Sequence, residues 1–88
     1  MMPKFPSGTI VSTHGALETF NNAFLFSSLQ RHLAGDWGNV CESDARSNNR
    51  AINFEERILS AYEQDGAKLW IITEADRSST CLLLPDEY

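Results

Sequence analysis

Two apolar runs near the end of the chain are separated by a pair of turn residues. Residues 57–62 (RILSAY) and 67–73 (AKLWIIT) flank Asp65 and Gly66, and Asp-Gly between apolar runs is a strong signal for a β-hairpin with a type I′ turn. Centring the turn on these two residues fixes the strand register. Opposite charges then face each other at both ends, which disfavours a one-residue slip. The predicted pairs are Tyr62 with Leu69, Ala61 with Trp70, Leu59 with Ile72, Glu63 with Lys68 and Arg57 with Glu74.

A second hairpin is predicted to turn at residues 75–78. Residues 80–84 (TCLLL) form the return strand, and Pro85 ends it because proline lacks the N–H that a sheet requires. Both faces of this β-meander are apolar, so both need cover. Helices are expected on one face, and the N-terminal segment, curling of the sheet or a partner on the other. One face carries Ile58, Tyr62, Leu69, Ile71, Leu82 and Leu84, and the other carries Leu59, Ala61, Trp70, Ile72, Cys81 and Leu83.

The N-terminal part of the chain predicts an arm, a strand and a helical region. Residues 1–7 are expected to form an extended, flexible arm, and residues 9–12 (TIVS) are a candidate edge strand. Thr13 is a candidate N-cap for a helical pattern over residues 15–34. The apolar stripes of that pattern are offset, which leaves open whether Asn21 and its neighbour divide it into two helices.

A second helical segment and the end of the first complete the predicted elements. Gly35 is placed to end the first region in the left-handed conformation. Ser43 is a candidate N-cap for a polar, weakly specified helix that continues to Ile52. The chain therefore predicts a single α+β domain over residues 1–88, in which a mainly antiparallel sheet of three or four strands packs against two or three helices. The predicted core is Leu17, Phe20, Leu29, Leu33, Trp37, Leu59, Trp70, Ile72, Cys81 and Leu83.

Composition and charge narrow the classes of function. The chain has 88 residues, 42% of them hydrophobic, with a net charge of −5. An acidic balance argues against a general nucleic-acid or anionic-membrane binder, since neutralising phosphates requires clustered lysine and arginine. No apolar run approaches the roughly 18 residues that span a bilayer. No signal peptide is recognised, so a cytoplasmic protein with free thiols at Cys41 and Cys81 is expected.

Ligand spacing predicts neither a metal site nor a cofactor site. His14, His32, Cys41 and Cys81 lack the short spacings of zinc sites, and no glycine-rich phosphate loop is present. A nucleophilic Cys41 activated by His32 and oriented by Asp36 is one alternative, because the three lie near each other in sequence. The favoured interpretation is that His32 is a partly buried histidine at a helix end.

Charged residues at the second hairpin turn form the candidate polar site. Glu74, Asp76 and Arg77 lie together at this tip, where they could handle protons or phosphate. Recognition by a polar tip is the favoured interpretation over catalysis, and turn capping with solvated charges is the simplest one. The full set of candidate binding residues is His32, Asp36, Trp37, Glu74, Asp76 and Arg77.

Five short stretches of the chain resemble a known family. They are RH at 31–32, GDWG at 35–38, RILSAY at 57–62, WIITEADRS at 70–78 and LPDEY at 84–88. They resemble short, uncharacterised proteins encoded on bacterial plasmids and integrative mobile elements. The likeness covers about half of the chain and fades over residues 21–28 and 43–54. It implies a compact accessory protein of mobile DNA and carries over no activity.

Three functions from different classes follow as hypotheses. The first is a non-catalytic protein that binds a protein partner and inhibits a host nuclease defence of the CRISPR or restriction type. The second is a small hydrolase of nucleotides or nucleic acid, which requires the Gly35–Gly38 loop and the Asp76 tip to converge in one pocket. Its groups would be His32, Asp36, Glu74, Asp76 and Arg77. The third is a structural homodimer that pairs an exposed strand or sheet face.

Overall fold

The computed structural model describes residues 3–88, so the first two residues of the predicted arm lie outside the described part. The chain folds as an α+β protein in which helices and a four-stranded sheet pack together. The elements in order are β1 (Thr9–Ser12), α1 (His14–Thr19), α2 (Asn22–Leu33), α3 (Glu42–Phe54), β2 (Ile58–Gln64), β3 (Ala67–Thr73), β4 (Ser79–Leu83) and a 3-10 turn (Pro85–Glu87).

The sheet has the strand order β1-β4-β3-β2, so β1 and β2 are its two edges. β2 and β3 pair in the predicted register, with Tyr62 opposite Leu69. Asp65 (φ 53°) and Gly66 (φ 81°) both adopt the positive φ of a type I′ turn. The sheet is mainly antiparallel but mixed, because β1 runs parallel to β4.

The predicted helix signals are confirmed in the first helical region and shifted in the last helix. The Thr13 side chain caps α1, and Asn21 caps α2 by accepting from Phe24 N–H, so the region is divided into two helices. Helix α3 begins earlier than predicted and extends to Phe54. Its N-cap is Cys41, whose Sγ accepts a hydrogen bond from Asp44 N–H, so the prediction of Ser43 was wrong.

The main core lies on the sheet face that carries Tyr62, and α1 and α2 cover it. Leu17, predicted as core, is 52% exposed. Half of the predicted core residues lie on the opposite sheet face. Several of these, among them Trp70 and Cys81, are only half-buried. Because both faces are apolar, the alternation along the strands could not identify which one the helices cover. The main cluster is Ala16, Phe20, Leu25, Tyr62, Leu69, Ile71 and Leu82.

The last residues of the chain cover part of the opposite face. The Tyr88 ring meets the half-buried Trp70 edge-on, with centroids 5.7 Å apart. Arg57 holds this tail in place, because its guanidinium donates to Tyr88 Oη (2.6 Å) and to Glu74 Oε1 (3.1 Å). The predicted pairing of Arg57 with Glu74 is therefore confirmed as an ion pair at the end of β2.

Residues 3–7 pack on the domain, which differs from the flexible arm predicted for residues 1–7. Lys4 N–H donates to Leu33 O at the end of α2 (2.8 Å), and Phe5 is 4% exposed. Phe5 belongs to a second apolar cluster with Trp37, Ala51 and Ile58. The buried Phe5 ring anchors the segment together with the backbone bond of Lys4, and the prolines on either side of Phe5 made the sequence resemble an extended arm.

The β2 edge is covered by the chain itself. Asn48 of α3 donates from Nδ2 to Leu59 O (2.7 Å) and accepts at Oδ1 from Leu59 N–H (3.2 Å). Beside it, Ala61 exchanges backbone hydrogen bonds with the segment around Gly38: its N–H donates to Trp37 O, and its C=O accepts from Asn39 N–H. The outward backbone groups of Leu59 and Ala61 are therefore satisfied.

Candidate functional site

A buried polar chain crosses the sheet beneath α2 and contains one of the predicted site residues. His32 is fully buried, and its ring nitrogens contact Ser60 Oγ (Nδ1, 2.5 Å) and Thr73 Oγ1 (Nε2, 2.8 Å). Thr73 Oγ1 lies 2.7 Å from Thr80 Oγ1, which donates to Ser7 O at 2.8 Å. The chain therefore links β2, β3, β4 and the segment before β1.

Counting protons fixes the tautomer of the imidazole. Thr80 has one hydroxyl proton, which goes to the Ser7 carbonyl, so Thr73 must donate to Thr80. Thr73 must then accept from His32 Nε2–H, which leaves Nδ1 to accept from the Ser60 hydroxyl. Burial lowers the pKa of His32 from 6.5 to about 3. His32 is therefore a neutral member of the core, and both of its nitrogens are occupied.

Three of the predicted site residues meet around the buried Phe5 ring. His32 approaches Phe5 edge-on at 5.4 Å between centroids, and Trp37 stacks against Phe5 at 6.2 Å. The Arg77 guanidinium lies 5.6 Å from the centroid of Phe5. Trp37 is itself buried and donates from Nε1 to Asn49 Oδ1 (2.9 Å). The aromatic rings are packed together here, and Phe5 fills the space between them.

Arg77 binds backbone carbonyls at the end of α3. Its Nη2 donates to Ala51 O (2.6 Å), and its Nη1 donates to Glu56 O (2.7 Å) and Glu74 O (3.1 Å). Carbonyls left free at a helix C-terminus attract cations. This residue therefore ties the second hairpin to α3, a partner that the interpretation of solvated charges at this tip did not anticipate.

Asp36 forms an exposed ion pair that folds back on α2. Arg31 donates to both Asp36 carboxylate oxygens, at 2.8 and 3.2 Å, and this pairing lowers the pKa of Asp36. The Arg31 guanidinium also lies over the Tyr62 ring, whose hydroxyl donates to Asp36 O (2.7 Å). Burial raises the pKa of Tyr62 to about 12, so this phenol stays protonated as a donor at neutral pH.

The two remaining predicted residues serve local structure. Glu74 pairs with Arg57, as described above, and Asp76 accepts from Ser78 N–H at 3.0 Å within its own turn. Hydrogen bonding from the side chain and the backbone of Ser78 lowers the pKa of Asp76. The predicted role of Asp76 in satisfying a turn amide is confirmed.

Trp37 of the Gly35–Gly38 loop and Arg77 of the tip both contact the buried Phe5 ring, but the carboxylates of Asp36 and Asp76 are bonded elsewhere, to Arg31 and to Ser78. Asp36 lies beside Tyr62, near one end of β2, whereas the tip adjoins Ile58, which pairs with Thr73 at the other end. Four residues of strand separate these two points, or about 13 Å. The two carboxylates therefore lie beside different ends of β2, which does not favour the shared site that the hydrolase hypothesis requires.

Cysteines and metal ligands are also separate from each other. Cys41 and Cys81 are free thiols, the first exposed and the second half-buried. Cys41 contacts a backbone amide, and the His32 nitrogens are taken by two hydroxyls, so no Cys–His pair forms. Within residues 3–88, no three His, Cys, Asp or Glu side chains are grouped so that they could hold a metal ion. None of the helices in that range is long and apolar enough to cross a membrane.

An exposed apolar surface lies along β1 and the adjoining flanks of α1 and α2. We define this β1–α2 surface by Ile10, Val11, Leu17 and Phe26, which are 49, 44, 52 and 63% exposed. Together they present roughly 400 Å² of apolar area, a size at which exposed patches are often contact sites. Shallow grooves join these residues and are lined entirely by uncharged side chains. Leu17, predicted as core, lies outside it, on the flank of α1 beside β1.

The outer edge of β1 also carries free backbone groups. Thr9 N–H donates to Ser78 O (3.0 Å) and Thr13 N–H to Leu82 O (2.9 Å), so alternate residues of β1 point toward β4. Ile10 and Ser12 therefore point their N–H and C=O groups away from the sheet. No residue of the described range 3–88 bonds to them. This edge and its apolar flanks form the best candidate for a functional contact.

Comparison of the chain with protein-family models, with curated proteins and with solved structures found no match.

Proposed function

We propose that this protein is a non-catalytic binding module that contacts another polypeptide through the β1–α2 surface. The observation that carries the proposal is the coincidence of an unpaired strand edge with an uncharged apolar flank. Strand addition to such an edge supplies affinity through main-chain hydrogen bonds, and adjacent apolar side chains add to it. The groups most suited to chemistry support the same reading, because His32, Arg77 and Asp36 each hold the fold together.

The resemblance to short proteins of plasmids and integrative elements gives this module a proposed context. There it would act in the cytoplasm as an accessory protein, and a host nuclease of the restriction or CRISPR type is the partner class to test first. The net charge of −5 favours a basic partner surface, such as those that nucleases present to nucleic acid.

Site-specific photocrosslinking in cells tests the contact surface. A benzophenone amino acid in place of Phe26, at the centre of the β1–α2 surface, is expected to form a discrete covalent adduct with a polypeptide. The matched control is the same replacement at Phe54, which is 68% exposed on α3 and lies outside that surface. Adducts at Phe26 that are absent at Phe54 support the proposal. Equal labelling at both positions, or none at either, would refute it.

A further inference from the structure

We infer that the occupant of the β1–α2 surface is a second copy of this chain, paired antiparallel through β1 about a two-fold axis at Val11. The inference rests on the proposed function, because it assigns a partner to the same surface, and it names a second copy there in place of a host nuclease. It would join two four-stranded sheets into one continuous sheet across the dimer.

The backbone of β1 is self-complementary under such an axis. Ile10 and Ser12 point outward and lie on either side of Val11. In an antiparallel pair, Ile10 would face Ser12 of the second copy, and the reverse pair would form on the other side of the axis. Each of these pairs exchanges two N–H···O=C bonds. All outward backbone groups of the two residues would then be satisfied by the other copy.

The side chains around the axis also favour an identical partner. Val11 would meet Val11 of the second copy in a non-hydrogen-bonded pair, where side chains approach most closely. On the other face of the sheet, Ile10 and Phe26 of each copy would lie beside those of the other, because α2 flanks β1 there. The burial of 44–63% exposed apolar side chains would drive this contact.

The lack of charge in the grooves and the apolar area of the surface both fit a second copy as the partner. Two chains of net charge −5 repel each other. The grooves of this surface are lined by no Asp, Glu, Lys or Arg, so two identical patches can meet without bringing like charges together. A stable interface buries about 800 Å² per partner. The exposed apolar side chains supply about half of this, and the edge backbone with its polar neighbours adds to it. A dimer of moderate affinity is therefore expected.

Two charge substitutions at Val11 test both the dimer and its axis. Sedimentation equilibrium of the purified chain should give a mass that rises with concentration toward twice 9.9 kDa. Val11→Lys and Val11→Glu each place like charges together at the axis, so each should weaken association by about tenfold or more. A one-to-one mixture of the two variants should restore it. Phe54→Lys, on a distant exposed aromatic residue, should leave association unchanged.

Amide exchange gives a second readout that a change in folding would not mimic. On concentrating the protein, exchange should slow at Ile10 and Ser12, whereas Leu59 is already bonded within the chain and should not change. A monomer at all concentrations would overturn the dimer. Failure of the mixed variants to associate would overturn the axis at Val11. If the purified chain is monomeric but Phe26 crosslinks to a different protein in cells, the dimer fails while the proposed function stands.

Discussion

The two edges of the sheet, β2 and β1, differ in whether their outward backbone groups are hydrogen-bonded. At the β2 edge, the Asn48 amide and the backbone around Gly38 bond to every outward group of Leu59 and Ala61. At the β1 edge, the corresponding groups of Ile10 and Ser12 face outward beside apolar side chains. Proteins commonly protect both edges against pairing. The contrast shows that one fold can cover most of one edge, at Leu59 and Ala61, and leave the other available, and the proposed contact is assigned to the open edge.

Acid is expected to weaken the buried hydrogen-bond chain around His32, which links β2, β3, β4 and the segment before β1. This is the largest expected effect. The folded protein holds His32 at a pKa of about 3, whereas an unfolded histidine takes up a proton near 6.5. Stability is therefore complete above about pH 7 and decreases as the pH falls toward 3. The loss is on the order of 4 kcal/mol over this window. Denaturant unfolding followed as a function of pH measures it.

The imidazole itself provides the decisive check. NMR should show His32 as the Nε2–H tautomer, without titration between pH 7 and 5. The surface variant His14→Gln should leave the acid transition in place, since His14 is exposed and pairs only with Glu18. An imidazole of His32 that titrates near 6.5 in the folded protein would contradict the buried network.

Proline substitutions compare the two edges directly. Leu59→Pro removes an N–H that donates to Asn48 and should lower the free energy of unfolding by about 3 kcal/mol or more. Ile10→Pro removes an outward N–H to which no residue of the range 3–88 bonds, so its cost should be about 1 kcal/mol or less. Denaturant titration of both variants at low protein concentration tests this. Equal destabilisation would show that the edges do not differ.

Alanine substitutions at two glycines of positive φ separate the cost of backbone strain from the cost of a clash between the added Cβ and neighbouring atoms. A Cβ at Gly38 would lie 2.0 Å from Ala61 O, whereas one at Gly66 meets nothing within 4 Å. Gly38→Ala should therefore destabilise by about 3 kcal/mol and Gly66→Ala by about 1 kcal/mol. Thermal unfolding of the pair measures the difference. If the two variants are equally stable, the Gly38 segment does not close the β2 edge.

Asn48→Ala isolates the side chain that caps this edge. The substitution leaves the N–H and C=O of Leu59 without a partner and should cost about 2 kcal/mol. Asn53→Ala, at an exposed position of the same helix, should change stability by less than about 0.5 kcal/mol. The same unfolding measurement applies to both. Faster amide exchange at Leu59 in the first variant alone would confirm the assignment.

Local signals in the sequence predicted much of the fold. The Asp65-Gly66 turn, the register of β2 on β3 and the cap at Thr13 depend on neighbouring residues, and the structure has all of them. The choice of core face could not be predicted, because it depends on where helices dock across the chain. Asn48 gave no signal either, since an asparagine in a polar helix is usually solvated.

The candidate site was harder to predict for the same reason. His32, Trp37 and Arg77 were selected for their chemistry, but each finds its partners in distant segments: Ser60 and Thr73, Phe5, and the end of α3. The β1–α2 surface contains only ordinary apolar residues. Only the parallel docking of β1 at the edge makes Ile10 and Leu17 neighbours on the outside of the protein.

The capped β2 edge also limits the size of any assembly. Asn48 stands where the next strand of a growing ribbon would bond, so each molecule has a single end at which it can be extended. A symmetric contact would pair the β1 edge of both molecules with each other, so neither would keep an open edge. Pairing through β1, as proposed above, would therefore stop at two chains, and an open edge that could otherwise nucleate fibres would limit its own growth.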